Sequence, residues 1–364
     1  MIMLLAQRLY MKEFIKTTAT LTIGLALIFG ILGFIDRMDD FMPHKPQAGQ
    51  LILFIIMTIP RYVHYLMPMA ILLSALFVFS QAVKRKEIVI VKASGSRMRG
   101  FLMPFVSAGV ILTIFGFILA EGIVPAASKK AQTIRDRVKK THKAYTFKEG
   151  TVYMRGLDGA VIRVGLFHPV QNISTDVTIF RFDSNGLKER IDAKTAIWEN
   201  DKWTLKELNI YSIDTGKIRE QASLVYEGIE TPDIFKEDVV KVEEMNMVEL
   251  YKYKDRLNKA GYKNQKLVVD LSAKFSYPLI NLFMLLLGLS LSLGESFRVF
   301  GHTASTNTAI AAGLGLVVSL FYWLGYSLML SLGYAGAIPG TVAPWIVPAI
   351  FAVGSVVLYR KIPE

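Results

Sequence analysis

Six stretches of the chain are almost free of charge and long enough to cross a bilayer: about 14–35, 52–82, 101–124, 275–293, 304–332 and 341–359. A helix needs ~20 apolar residues to span a ~30 Å hydrocarbon core, so each stretch predicts a transmembrane helix. The second is too long for one straight crossing and carries Pro60 and Pro68, which predicts an interfacial or broken first part. A long polar region separates the third stretch from the fourth. It opens with a basic, helix-compatible extension, 128–143, and then changes period. Segments around 146–155, 160–168, 176–183, 187–198, 202–213 and 218–229 alternate apolar and polar residues, punctuated by Asp158-Gly159, Asn185-Gly186, Asn200-Asp201 and Asp214-Thr215-Gly216. That pattern predicts antiparallel strands in a small sandwich or jelly roll of mostly meandering strands. From Asn246 to Gly261 the period is helical again and leads towards the fourth span. The fold class expected is a membrane α-helical protein, six transmembrane helices arranged three plus three, with an inserted all-β jellyroll domain. The expected boundaries are 1–128, 129–268 and 269–364, with a short loop helix at about 84–99.

Charge supplies the orientation. The formal net charge is +12, but outside the central region the basic residues gather at Arg8, Lys12, Lys16, the cluster from Lys84 to Arg99, Arg298, Arg360 and Lys361. All of these fall on one predicted side. Positively charged loops are retained in the cytoplasm, so the amino terminus, the loops at 84–100 and 294–303 and the carboxyl terminus are expected inside. The loop at 36–50, with only Arg37 and Lys45, and the large insertion are then outside. This distribution explains the net charge without a nucleic-acid partner. The first span is too long for a signal-peptide core and is expected to remain as an anchor. With no cysteine, disulfides and Cys-ligated metals are excluded.

Little in the sequence points to catalysis. No G-x-x-x-x-G-K-[ST] occurs, and His44, His64, His142, His168 and His302 never fall at metal-ligand spacing. No enzyme activity, cofactor or metal is expected. Glu121 near the outer end of the third span, and Lys274 just before Pro278 in the fourth, are boundary charges that are costly unless they meet water, head groups or a partner. Gly288, Gly313, Gly315 and Gly325 would let helices approach closely.

The inner loop, Lys84 to Arg99, is rich in Lys and Arg but contains Glu87 and the apolar run Ile88-Val89-Ile90-Val91. We expect a short interfacial helix ending near Gly95. It either rests on lipid or docks into a groove of a cytoplasmic ATPase, with Ile88 and Val91 buried and Glu87 or Arg85 fixing the register. Anionic lipid would repel the glutamate, which favours a protein partner.

Several segments together resemble one family. Met67-Pro68-Met69-Ala70, the run from Arg85 to Gly95, Ala120-Glu121-Gly122-Ile123-Val124-Pro125 and Lys274-Phe275-Ser276-Tyr277-Pro278-Leu279 are similar to the lipopolysaccharide-export permeases LptF and LptG, with wording closer to the LptG branch. The resemblance covers essentially the whole chain. It implies two related permeases that pair around a cavity and take lipopolysaccharide from the inner membrane of a Gram-negative cell. A dimeric LptB-like ATPase binds the ATP and drives the lipid towards LptC-like and LptA-like jellyroll proteins. The family's coupling glutamate falls on Glu87, with Arg85, Ile88, Val91, Ser94 and Gly95 around it. The family's cavity is lined by the first and fifth spans, which offers Leu27, Gly30, Phe34, Ile310, Leu314, Val317 and Phe321 as acyl-chain contacts. Members carry basic residues near the outer end of the first span, where this chain has Gly33 and Asp39-Asp40. Head-group recognition is then expected either to fall on Arg37, Arg61 or the approach at Lys129, Lys130 and Arg135, or to use a differently charged lipid core. The competing expectation is an envelope scaffold or sensor whose β domain binds a partner while the spans anchor it. A lipid-modifying membrane enzyme would rest on Glu121 alone.

Overall fold

The computed structural model describes residues 2–44, 46–93, 97–138, 145–148, 151–156, 158–168, 172–183, 186–213, 216–229, 231–232, 245–259, 264–294 and 308–362. The expectations for Lys45, Ser94, Gly95, Arg298 and residues 139–143 fall outside these. The chain divides into two compact units, 1–139 with 265–364, and 140–264.

The first unit is helical. Its elements are α1 (Ile2–Ile35), α2 (Met38–Phe41), α3 (Ala48–Lys84), α4 (Glu87–Ala93), α5 (Met98–Ile118) and α6 (Val124–Val138), the last two joined by a π-helical turn, Leu119–Ile123. Among the described residues, six helices of this unit are long and apolar enough to cross a membrane. In hydrocarbon a helix is favoured because it satisfies its backbone hydrogen bonds internally.

Of the two alternatives expected for the first part of the second span, the break is not found: α3 is unbroken through Pro60 and Pro68. A proline removes one backbone hydrogen bond and leaves the rest of the ladder in place, and packed neighbours hold the helix together. At 1.5 Å per residue its 37 residues reach ~55 Å, well beyond the hydrocarbon thickness. The surplus is used at its amino-terminal end. There Phe54, with Leu51 and Met57, packs on Phe34, Phe41 and on Ala131, Ile134 and Val138 of α6, a satellite core apart from the main bundle.

The second unit is a seven-stranded antiparallel sheet: β1 (Tyr145–Lys148), β2 (Thr151–Arg155), β3 (Val161–His168), β4 (Ile173–Asp183), β5 (Gly186–Glu199), β6 (Lys202–Ser212) and β7 (Lys217–Tyr226), paired in sequential order. The first alternating segment of the sequence is thus two strands. One cross-strand row, Met154, Ile162, Ile179 and Ile191, is buried throughout. Asn200 and Asp201, with φ of 51° and 58°, make the tight turn between β5 and β6 that short Asx side chains tolerate. The sheet curls on itself. The Tyr226 hydroxyl at the end of β7 donates to Asp158 in the β2–β3 turn (2.7 Å), and Arg181 stands between Asp158 and Glu189. Helix α7 (Met247–Lys259) follows, with Leu250 and Tyr253 buried.

The chain then returns to the first unit as α8 (Gln265–Leu293), α9 (Thr308–Tyr334) and α10 (Ala343–Arg360). Helices α3 and α8 form its centre, packed on each other, while α1 lies along α3, α10 along α8 and α9 against α3. Gly288 allows the central contact: a Cβ there would sit 2.7 Å from the Ala75 Cβ and 3.2 Å from the Leu72 carbonyl. Gly315 serves α9 against Leu73 and Leu76 in the same way, whereas Gly313 faces open space.

Candidate functional site

On the side carrying the amino terminus and the 84–100 loop, α3 closes at Lys84 and the chain reverses through Lys86, which adopts a left-handed φ of 58°. Glu87 then starts α4 and accepts a hydrogen bond from the Tyr10 hydroxyl of α1. Tyr10 is held in turn by Phe79 and Phe101 rings, each 6.2 Å away. Three residues earlier, Gln7 donates to the Gly100 and Phe101 carbonyls at 3.1 and 3.2 Å. Ile88, expected in a partner's groove, is buried in the chain's own cluster with Tyr10, Phe79, Met98 and Phe101, and Val91 packs against the same cluster. The core supplies the apolar surface that a partner was expected to provide. The free apolar surface of α4 is instead Val89 and Ile90, 61% and 64% exposed. Arg85 is exposed in the preceding turn. Gln7 and Tyr10 were missed from the sequence. Their spacing with Phe14, which places all three on one face of α1, was the available signal.

Towards the opposite ends of the spans lies a polar layer. Lys274 of α8 pairs with Glu121 in the π turn at 3.7 Å. On α3, the Arg61 guanidinium lies 5.9 Å from the Tyr65 ring centroid, and the His64 ring is 5.5 and 5.1 Å from those of Tyr65 and Tyr277. Tyr277 donates to the Tyr65 carbonyl at 2.7 Å. Charged residues with Tyr and Trp just inside them are the usual composition of a membrane–water interface. Arg61 is half-buried in this layer. Arg37 is exposed between α1 and α2, and Arg135 is half-buried on α6, so both stand on elements of the satellite core. Gly33 leaves room for a neighbour: a Cβ there would collide with the Tyr62 hydroxyl, so any larger side chain requires the Tyr62 ring to move.

Adjoining the layer is an apolar cavity of about 280 Å³. Its walls are Phe29 of α1, Tyr65, Leu66, Pro68 and Met69 of α3, Tyr277 and Met284 of α8, and Leu316, Ser319, Leu320, Tyr322 and Trp323 of α9. That is roughly twice the ~150 Å³ that holds a benzene ring, enough for part of an acyl chain. The first and fifth spans were expected to line it, but the first contributes only Phe29, α3 and α8 of the second and fourth spans supply half of the walls, and none of the residues expected on the first and fifth spans is among them. Leu27 is exposed, Gly30 abuts Ile59 and Tyr62, and Phe34 belongs to the satellite core. Ile310, Val317 and Phe321 are exposed outside the cavity lining, Phe321 at 69%, and Leu314 is half-buried, also outside it. Among the described residues no group of His, Cys, Asp and Glu is arranged to hold a metal ion.

A polytopic helical protein with an apolar cavity between its spans, a fastened helix in its basic loop and an inserted β domain falls in the class of membrane permeases. Residues 8–361 match the family model described as the lipopolysaccharide export system permease LptF/LptG, and the chain belongs to this family. It is 23% identical over 326 residues to the lipopolysaccharide export system permease protein LptG of Haemophilus influenzae, covering 88% of this chain and 86% of that protein. Against LptG of Escherichia coli K12 the identity is 20% over 294 residues, covering 78% and 80%. The chain is a lipopolysaccharide export permease, and these relatives are of the LptG kind.

Proposed function

We propose that this chain is one of two paired permease subunits of an ABC-type exporter in the inner membrane of a Gram-negative bacterium, with an LptF-like subunit as its companion. In this reading the basic side is cytoplasmic and receives an LptB-like ATPase dimer at α4. The β domain is periplasmic and hands lipopolysaccharide to LptC-like and LptA-like jellyroll proteins. The observation that carries the reading is the apolar cavity between α1, α3, α8 and α9, adjoining a layer of charge. Lifting several acyl chains from a bilayer exposes apolar surface at ~25 cal/mol per Å², which demands both a greasy shelter and an outside energy source. The cavity offers the first. Because the sequence has no phosphate-binding loop, the second must come from another subunit, and Val89 and Ile90, beside exposed Arg85, are the surface to receive it.

The test is affinity purification through a carboxyl-terminal tag, with identification of co-purifying proteins and lipids. Recovery of a Walker-motif ATPase, a second six-span permease and lipopolysaccharide is expected. Recovery of the chain with bulk phospholipid alone would favour a scaffold or sensor.

A further inference from the structure

Serine and threonine in membrane helices commonly bond back to the carbonyl four residues earlier. Ser74, Thr113 and Ser290 do so here, at 2.6, 2.9 and 2.6 Å. Ser319 does not. Its hydroxyl and that of Tyr322, three residues on along the same face of α9, have no hydrogen-bond partner among the described residues, although the residues are only 5% and 1% exposed. Both line the cavity. Other hydroxyls nearby are satisfied: Tyr277 donates to the Tyr65 carbonyl, and Ser276 and Tyr326 lie 3.4 Å apart. A buried hydroxyl without a partner forfeits a full hydrogen bond, and α9 carries two in one cavity.

A bare alkyl chain would leave both unpaired. An acyl chain close to its ester or amide attachment brings a carbonyl oxygen, and in a hydroxylated chain a hydroxyl as well. It would bring them at the right depth. Tyr277 is one helical turn from Lys274 in the charged layer, and Tyr322 stacks on Tyr326, which in turn meets Tyr277, with ring centroids 5.7 and 5.4 Å apart. Resting on the reading of this cavity as an acyl-chain site, we propose that Ser319 and Tyr322 are a specificity pair. They hydrogen-bond an oxygen on the attached end of the acyl chain and so select oxygen-bearing chains of the exported lipid over plain hydrocarbon.

The full chain, purified with its accompanying subunits in nanodiscs, is labelled with a myristoyl ester bearing a terminal diazirine, and adducts are mapped to peptides containing 277–284 and 316–323. Competitors of equal backbone length, methyl 3-hydroxytetradecanoate and hexadecane, then separate chain from oxygen. We expect the oxygenated competitor to suppress labelling at about two- to tenfold lower concentration than hexadecane, one hydrogen bond's worth. S319A and Y322F should each shrink that ratio while leaving hexadecane competition unchanged, and neither should lower the melting temperature. Equal competition in the unaltered protein, or a ratio that survives both substitutions, overturns the proposal. So does a fall in melting temperature, which would mark the hydroxyls as structural. Absence of labelling in these peptides sinks the acyl-site reading itself. Lipids retained by the double variant identify the source: because phospholipid chains carry an ester carbonyl too, loss of lipopolysaccharide is expected whether or not phospholipid falls with it, and loss of phospholipid alone overturns the assignment to exported lipid.

Discussion

Tyr10 donates a hydrogen bond to Glu87 across 77 residues of sequence and so fastens α1 to the short helix of the basic loop. Through this contact and the burial of Ile88, α4 is not a loose appendage. It is fastened to the same helix, α1, that carries Phe29 of the cavity wall.

Replacing Tyr10 with Phe keeps the ring packed between Phe79 and Phe101 and removes only the donor. We expect a stability loss of about 1–2 kcal/mol, faster hydrogen exchange in α4 and less lipid released per ATP hydrolysed in reconstituted exporter. Undiminished release with unchanged exchange would show that the Tyr10–Glu87 contact plays no part in coupling. Glu87→Ala, which also abolishes the acceptor, should uncouple more strongly.

The Lys274–Glu121 pair makes a prediction about order in the polar layer. With side chains 16% and 29% exposed, it lies between a surface pair and a buried one. Lys274→Ala, which strands the carboxylate, should lower stability by about 1–3 kcal/mol, and adding Glu121→Gln should recover most of it. Thermal unfolding of both variants in nanodiscs checks this, and failure of the second change to rescue the first would contradict it.

Gly288→Ala should destabilise by about 1–3 kcal/mol, because the Leu72 carbonyl beside it belongs to rigid helix backbone. Gly24→Ala in α1 meets nothing within 4 Å and should be neutral or slightly stabilising. Equal melting temperatures for the two variants would refute the close α3–α8 contact.

His168 at the end of β3 is buried, and burial lowers its pKa below the ordinary 6.5. The unfolded chain therefore takes up a proton before the folded one does. This contribution to stability is complete above pH 6.5 and is lost as pH falls from there through the lowered value. Trp203, packed on Phe167 beside it, reports the change by fluorescence. An unfolding midpoint that falls between pH 7.5 and 5.5, with the fall reduced in His168→Gln, is expected.

What could be read from the sequence followed from strong periodicities. Runs such as 101–124 have no reading except a span, and the Asx-Gly punctuation at 158–159 and 185–186 marked the ends of alternating segments that became strands. The direction of side chains was harder. Helix α9 is apolar all round, so Val317 and Leu316 are equivalent in the sequence, and only packing against α3 decides that Leu316 lines the cavity. The same holds for α4, where four consecutive β-branched residues hide which of them turns inward. Glu121 and Lys274 are 153 positions apart, and nothing local to either announces the other. The second span misled through its prolines because its surplus length is explained by α6, a distant partner.

The most direct test of the account is site-specific photo-cross-linking in living cells, with a photoreactive residue in turn at Leu320, at Phe29 and at Ile350, which is 63% exposed on α10. The account predicts lipopolysaccharide adducts at Leu320 and Phe29 that rise when the partner ATPase is inactivated, and none above background at Ile350. Phospholipid adducts alone at all three positions would contradict it.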